Sequence, residues 1–379
     1  MKIVIAPDSF KGSLTAKEAS QAIHDGFIKV FPNAEYVLVP MADGGEGTVQ
    51  SLVDATNGKL LEKKVCGPLE KTVTAKYGIL GDGKTGVIEM AEASGIGYVT
   101  KETKNPLVTT TYGTGELIMA CVEQGVKKII IGIGGSATND GGSGMAEALG
   151  VKFLDKNGNQ IPRGGGGLSK LDRIDMSNID PRLKDVELII ASDVTNPLCG
   201  EKGASHVFGP QKGATKEMIQ ILDSNLKHYA DVIKKQLGKD VADVPGTGAA
   251  GGLGAGLLVF TNSKMQKGID IVVNYVKLEE KLRNAKLCVT GEGGIDFQTQ
   301  FGKAPFGVAQ AAKKVSKDLP VIAIAGSLGR EYQELYDKGF DAIFGTIEQV
   351  QPLEEVIAAA KESLIRTAEN VARAIKITI

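Results

Sequence analysis

Short apolar runs alternate along most of the chain with stretches whose apolar residues recur every three or four positions. That pattern predicts a parallel α/β sheet with covering helices. Residues 3–6 predict a buried strand that breaks at Pro7-Asp8. A helix should follow from Thr15, because Thr15 and Glu18 have capping-box spacing. Ala16, Ala19, Ile23, Phe27 and Val30 then share one helical face. Residues 36–40 predict a second strand, closed by Asp43-Gly44-Gly45-Glu46-Gly47 before another helix, so residues 1 to about 60 make a βαβα unit. The C-terminal third repeats this grammar with strands at 287–290, 321–325 and 342–345. A last helix should carry Leu353, Val356, Ile357, Ala360, Leu364, Ala368, Val371 and Ile375 on one stripe. Between these ends the texture changes. Residues 72–77 and 86–90 predict an antiparallel pair joined by Gly81-Asp82-Gly83, and glycine-rich loops crowd 132–144, 163–167 and 245–256. The expected division is one α/β domain from both termini, 1–64 plus 286–379, with a mixed α/β domain, 65–285, inserted in it.

Composition narrows the function classes. A length of 379 residues suits two or three domains. Lys and Arg number 44 against 45 Asp and Glu, a balance that supplies no broad basic surface for nucleic acid or an anionic membrane. Hydrophobic residues make up 42%, ample for a core. With no tryptophan and only 5% aromatics, stacking platforms for bases or sugars are unexpected. Glycine, at 49 residues, is the outlier against a usual ~7%. Cys66, Cys121, Cys199 and Cys288 stand far apart without a CxxC pair, so neither a zinc knuckle nor a disulfide framework is indicated. Three histidines cannot build a histidine-rich metal site. The N-terminus reads as a strand rather than a signal peptide, and residues 249–260 are too short and glycine-rich to span a bilayer. A soluble cytoplasmic protein is expected.

Two glycine motifs need weighing. Gly78 to Thr85 matches the phosphate-cradling G-x-x-x-x-G-K-T, but β-like residues follow it where a helix is required, so a hairpin turn is the better reading. Gly132-Ile-Gly134-Gly135-Ser136-Ala137 resembles G-x-G-x-x-A, with Asp155 about twenty positions on. Against a dinucleotide helix stand the glycines of Asn139-Asp140-Gly141-Gly142-Ser143-Gly144, which would weaken its first turns. An anion-binding nest of backbone amides, a nicotinamide site and plain structural turns all remain open. Acidic residues recur just after strands, where open α/β sheets bind ligands: Asp8, Asp43 with Glu46, Asp193, and Glu292 with Asp296. Any one alone reads as a cap or turn former. Their recurrence beside glycines suits Mg²⁺ or proton-accepting work, and Lys11, Lys212 and Lys303 could neutralise phosphate. Phosphoryl transfer fits this pattern better than hydride transfer.

Six ordered stretches carry a resemblance that runs over nearly the whole chain. They are residues 3–11 (IVIAPDSFK), 42–48 (ADGGEGT), 132–144 (GIGGSATNDGGSG), 192–197 (SDVTNP), 209–213 (GPQKG) and 290–293 (TGEG). Together they resemble the bacterial type 1 glycerate kinase family. The resemblance implies ATP-dependent phosphorylation of a hydroxyl of D-glycerate with Mg²⁺, with 2-phosphoglycerate favoured over 3-phosphoglycerate. It also implies a flavodoxin-like domain built from both termini around an inserted mixed α/β domain, with the site in the cleft between them. Asp193, Asp296 and Lys11 are the expected catalytic residues, and whichever of Asp193 and Asp296 is not the base would help hold Mg²⁺, with Asp193 preferred. Ser9, Asp43, Glu46 and Lys303 are expected to bind glycerate. Gly134, Gly135, Ser136, Asn139 and Asp140 are expected to hold ATP phosphates. The chain departs from the family at Gly294, where the resemblance leads one to expect arginine, and at Thr299, where it favours serine; Lys303 is the nearest substitute cation in sequence. Two rival readings stand beside the kinase, a nicotinamide-dependent oxidoreductase using residues 132–137 and a non-catalytic ligand-binding module. Assembly into a homo-oligomer is left open.

Overall fold

The structure is a computed structural model that describes residues 1–378. The chain forms two compact units: unit 1 is Met1–Asp43, Gln50–Asn57 and Gly268 onward, and unit 2 is Gly44–Val49 with Gly58–Lys267. Among the described residues thirteen strands occur, β1 (Lys2–Ile5), β2 (Glu35–Leu38), β3 (Lys59–Cys66), β4 (Thr72–Ile79), β5 (Thr85–Glu89), β6 (Lys128–Gly132), β7 (Lys152–Leu154), β8 (Arg173–Asp175), β9 (Glu187–Ala191), β10 (Ser263–Gln266), β11 (Leu287–Ile295), β12 (Val321–Leu328) and β13 (Ala342–Gly345).

Unit 1 is a five-stranded parallel sheet in the order β13-β12-β11-β1-β2. Ile3, Val4 and Ile5 are fully buried, as a central parallel strand covered on both faces requires. The helix Ala16–Phe27 starts as its sequence predicts, with the Thr15–Glu18 capping box formed in both directions. Its Ala19, Ile23 and Phe27 share one core with Leu364, Ala368 and Val371 of the helix Ala360–Thr378. These two helices cross at Gly26, where an added Cβ would stand 2.7 Å from that of Ala368, so a larger residue cannot fit. The final stripe differs from expectation. It is split between helices Leu353–Ala358 and Ala360–Thr378, and only its second half is buried; Leu353 is 71% exposed. Periodicity alone registers the apolar spacing and not the break at Ala359.

Unit 2 holds a six-stranded sheet in the order β10-β9-β6-β5-β4-β3, parallel from β5 to β10 and antiparallel at β3, β4 and β5. A small antiparallel pair, β7-β8, stands apart. The expected division at 64/65 falls inside β3, which carries Lys59, Glu62, Lys63 and Lys64 and so lacks the apolar run of a buried strand. Lysines of this kind are how an edge strand resists pairing with other chains. The expected division at 285/286 follows two helices, Gly268–Tyr275 and Leu278–Leu282, that belong to unit 1. Among the described residues no helix is long and apolar enough to cross a membrane.

Candidate active site

In unit 1 the strand order places a topological switch point between β1 and β11, because the chain leaves these neighbours in opposite directions. Beyond their carboxyl ends lies a charged cluster. The backbone of Asp8 donates to the Gly291 carbonyl (2.8 Å), which ties the loop after β1 to β11. The Asp8 carboxylate is buried and accepts from the Ser9 amide (2.6 Å). Burial, then the negative charge of Asp43, pushes Asp8 up to about 7; Glu292 adds to this, while Ser9 and Lys11 oppose it. Burial raises Glu292 as well, opposed first by Lys303. Lys303 Nζ donates to Glu292 Oε1 (3.3 Å) and to the Gly294 carbonyl (3.2 Å), and lies 3.9 Å from Asp296 Oδ1. The Thr299 hydroxyl donates to Glu292 Oε1 (3.1 Å) and accepts from the Asp296 amide (3.3 Å). Either hydroxyl residue can make those bonds, which accounts physically for threonine at this position.

Unit 1 therefore brings Asp8, Asp43, Glu292, Asp296 and Lys303 into one electrostatic neighbourhood. Asp296 caps the short turn Phe297–Gln300 by accepting from Gln298, and its side chain remains about one-third exposed toward Lys303. Ser9 is half-buried and Lys11 exposed. A Cβ at Gly294 would meet only Ser327 Oγ, at 3.4 Å, so space exists for a side chain there.

Unit 2 carries the glycine-rich loop after β6. Gly134 and Gly135 are exposed, and Ser136 is 8% exposed. Their limb is pinned to a neighbouring turn, with the Gly135 carbonyl accepting from Ile96 (2.8 Å) and the Ala137 amide donating to Ser94 (3.0 Å). The root of the loop is sealed. Asp140 accepts from the Thr111 amide and hydroxyl (both 2.8 Å), from Gly142 (3.1 Å) and from Gly144 (3.3 Å). Asn139 Nδ2 donates to Ser205 Oγ (2.9 Å). Burial still raises Asp140 above the usual carboxylate range, with the Thr111 bonds opposing it first. Gly251, at φ 67°, lets the helix Ala249–Phe260 press its backbone against Thr138 and Asn139, where any side chain would collide.

Asp193 lies exposed in the loop after β9, and Glu46 is exposed beside Glu89. Among the described residues no three His, Cys, Asp or Glu side chains group closely enough to hold a metal ion unaided. Mg²⁺ seldom needs such a cage, since one or two carboxylates with phosphate oxygens and water complete its shell. An exposed carboxylate at a strand end, such as Asp193, fits that donor chemistry.

The glycerate kinase family model matches residues 3–376. The chain belongs to the glycerate kinase family. It is 54% identical to the glycerate kinase of Bacillus subtilis strain 168, over 100% of this chain and 98% of the relative. It is equally similar, 54% over the same shares, to the glycerate 2-kinase of Escherichia coli strain K12. The crystal structure described as "putative glycerate kinase 2" from Salmonella typhimurium LT2 superposes with a TM-score of 0.91 at 50% identity, covering 100% of this chain and 99% of that one. The protein is accordingly a kinase with a mixed α/β fold.

Against this glycerate kinase fold, several motif readings can be settled. Residues 78–85 form the β4–β5 hairpin, with Asp82 accepting from Lys84 and Thr85, so this is a turn and no P-loop. The dinucleotide reading of 132–137 fails on two counts. No helix opens at Ala137, the next being Ser143–Ala148, and Asp155 sits in a turn after β7, which pairs with β8 rather than β6. Lys212 is not a surface cation awaiting phosphate. It is 1% exposed, its ammonium donates to the Thr138 carbonyl (2.6 Å), and burial lowers it to about 7 against the pull of Asp140. Glu89, the buried end of β5, was missed. Its carboxylate accepts from the Val49 amide (2.8 Å) and the Gly47 amide and so holds the Gly44–Val49 segment; burial pushes it up to about 7. The signal existed, an acidic residue closing an apolar strand, but it lies inside the strand rather than after it.

Proposed function

We propose that this glycerate kinase transfers the γ-phosphoryl group of ATP to the 2-hydroxyl of D-glycerate, with Mg²⁺ as the metal, in the cytoplasm. The observation that carries the choice of the 2-position is the 54% identity, over essentially both full lengths, to a protein named glycerate 2-kinase. In this reading Asp296 orients the substrate hydroxyl and accepts its proton as the oxygen attacks phosphorus. Its partial exposure and its place near Lys303 support that role. Lys303, Lys11, Ser9 and Asp43 bind the glycerate carboxylate and hydroxyls, with Lys303 standing in for the cation that Gly294 lacks. Glu46, exposed on the segment held by Glu89, is proposed as a further glycerate ligand.

The amides at Gly134–Ser136 are proposed to hold ATP phosphates, with Asn139 and Asp140 shaping the loop from beneath. Asp193 would hold Mg²⁺, whose charge offsets that of the phosphates when bound. Phosphoryl transfer asks for alignment and charge neutralisation rather than covalent chemistry, which suits a site built from lysines, carboxylates and amides. A phosphorus NMR time course with D-glycerate, ATP and Mg²⁺, with L-glycerate as control, tests the proposal. A phosphoester resonance coupled to one carbon-bound proton, appearing with ADP, is the expected result. Coupling to two protons would assign the 3-product, and no turnover from folded protein would overturn the substrate.

A further inference from the structure

We infer that Lys212 is a positioning residue for the glycine-rich loop, its buried ammonium bracing the Thr138 carbonyl and thereby setting where Gly134–Ser136 stand. This rests on the proposed reading of that loop as the phosphate-holding segment. Lys212 ends the tight turn Pro210–Lys212, followed by Gly213 at φ 91°, so its backbone is fixed before its side chain reaches inward. The target carbonyl lies 74 positions away in sequence. Thr138 is the joint between the exposed limb and the sealed Asp140 root. On its far side the loop is secured by Ser205 through Asn139, by Gly251 through the Gly141 amide (3.0 Å), and by Thr111 through Asp140.

At the joint itself the Thr109 hydroxyl donates to the Ala137 carbonyl (2.9 Å), next to the Thr138 carbonyl that Lys212 holds. Thr138 Oγ1 and Asn139 Oδ1 are buried without hydrogen-bond partners among the described residues, as is the Tyr229 hydroxyl nearby. Among the described residues, the side-chain hydrogen bond to the Thr138 carbonyl comes from the Lys212 ammonium. Burying an ammonium is costly, and an apolar side chain of similar length would fill the space more favourably if packing were its only task. Asp140, also fully buried, is the group whose negative charge favours the protonated lysine against the effect of burial. An ammonium aimed at one carbonyl, with a carboxylate beside it, is a brace with a defined direction. Shortening or discharging it would let the joint relax and shift the amides of the exposed limb.

Lys212→Met tests this, since it keeps the length and removes the donor. The expected result is a KM for ATP raised roughly tenfold or more, a KM for D-glycerate within about twofold, and a cooperative thermal transition. Unchanged KM for ATP in the folded variant would overturn the inference, as would equal rises in both KM values. Should Lys212→Met fail to fold, Lys212→Gln, polar but too short to reach the Thr138 carbonyl, takes the same assay with the same two outcomes. Failure of both to fold would overturn the inference in favour of a lysine required only for stability. Gly134→Asp separates the two levels: a Cβ there meets only Gly45 Cα, at 3.8 Å, so the side chain fits and its charge would repel phosphate. If Gly134→Asp leaves the KM for ATP unchanged, the loop reading fails. If it raises that KM while Lys212→Met does not, the bracing role alone fails.

Discussion

The charged end of unit 1 and the glycine-rich loop of unit 2 both place buried carboxylates near the carboxyl ends of parallel strands, yet they treat them oppositely. Asp140 accepts four hydrogen bonds and is completely enclosed. Asp8 accepts from the Ser9 amide, feels the like charges of Asp43 and Glu292, and is opposed by the charge of Lys11. Burial raises both. What differs is the supply of donors: a carboxylate whose lone pairs are all answered is a structural knot, whereas one left facing like charges is poised for protons or cations. The same contrast separates Lys212, sealed against a carbonyl, from Lys303, shared among Glu292, Gly294 and Asp296.

The sharpest way to break this comparison is to remove the knot. Asp140→Ala should cost on the order of 3–5 kcal/mol in chemical denaturation, because four donors lose their acceptor in the interior. A variant of wild-type stability with altered ATP affinity would reverse the roles assigned to the two regions. Next comes Asp296→Asn, expected to lower kcat on the order of 10²–10³-fold while the melting temperature stays close to wild type. Asp193→Asn should also lower turnover, and near-normal turnover in both would remove them from the chemistry.

A third test uses pH. Asp8 titrates at about 7 in the folded protein against an ordinary 3.8, so folding favours its protonated form. Its stabilising contribution is complete below pH ~4 and is lost as pH rises through 7. Asp8→Asn has no such loss, so its stability relative to wild type should grow between pH 5 and 8, on the order of 2–3 kcal/mol. A difference that stays flat across that range would show that Asp8 is not held protonated. The smallest effect is expected at Gly294→Arg, for which there is space. It should lower the KM for D-glycerate roughly threefold to tenfold, since Lys303 already supplies one cation nearby. A loss of activity instead would mean that Lys303 needs the Gly294 carbonyl undisturbed.

Much of unit 1 was legible in the chain. The capping box at Thr15, the buried strand at 3–6 and the three C-terminal strands all formed, because each depends on spacing within a few residues. The charged strand β3 was not legible, since four charged side chains hide the alternation that marks a strand. The apolar period of the final stripe survives the break at Ala359, so spacing alone reads as one continuous helix. Within the site, the acids after strands were visible, while Glu89 was not, and Asp140 could be named without revealing that it faces inward.

The sequence by itself determined the alternating α/β plan, the hairpin at 78–85, the family and the cast of acidic, basic and glycine residues. Only the tertiary structure decided which of them are spent on the fold. Lys212 and Thr138 meet across 74 positions, and Asp140 meets Thr111 across 29. Helix and strand periods act over a few residues and leave their mark on local spacing. Burial and hydrogen-bond partnership come from topology, which brings distant glycine-rich turns together and so decides whether a charge is sealed or exposed.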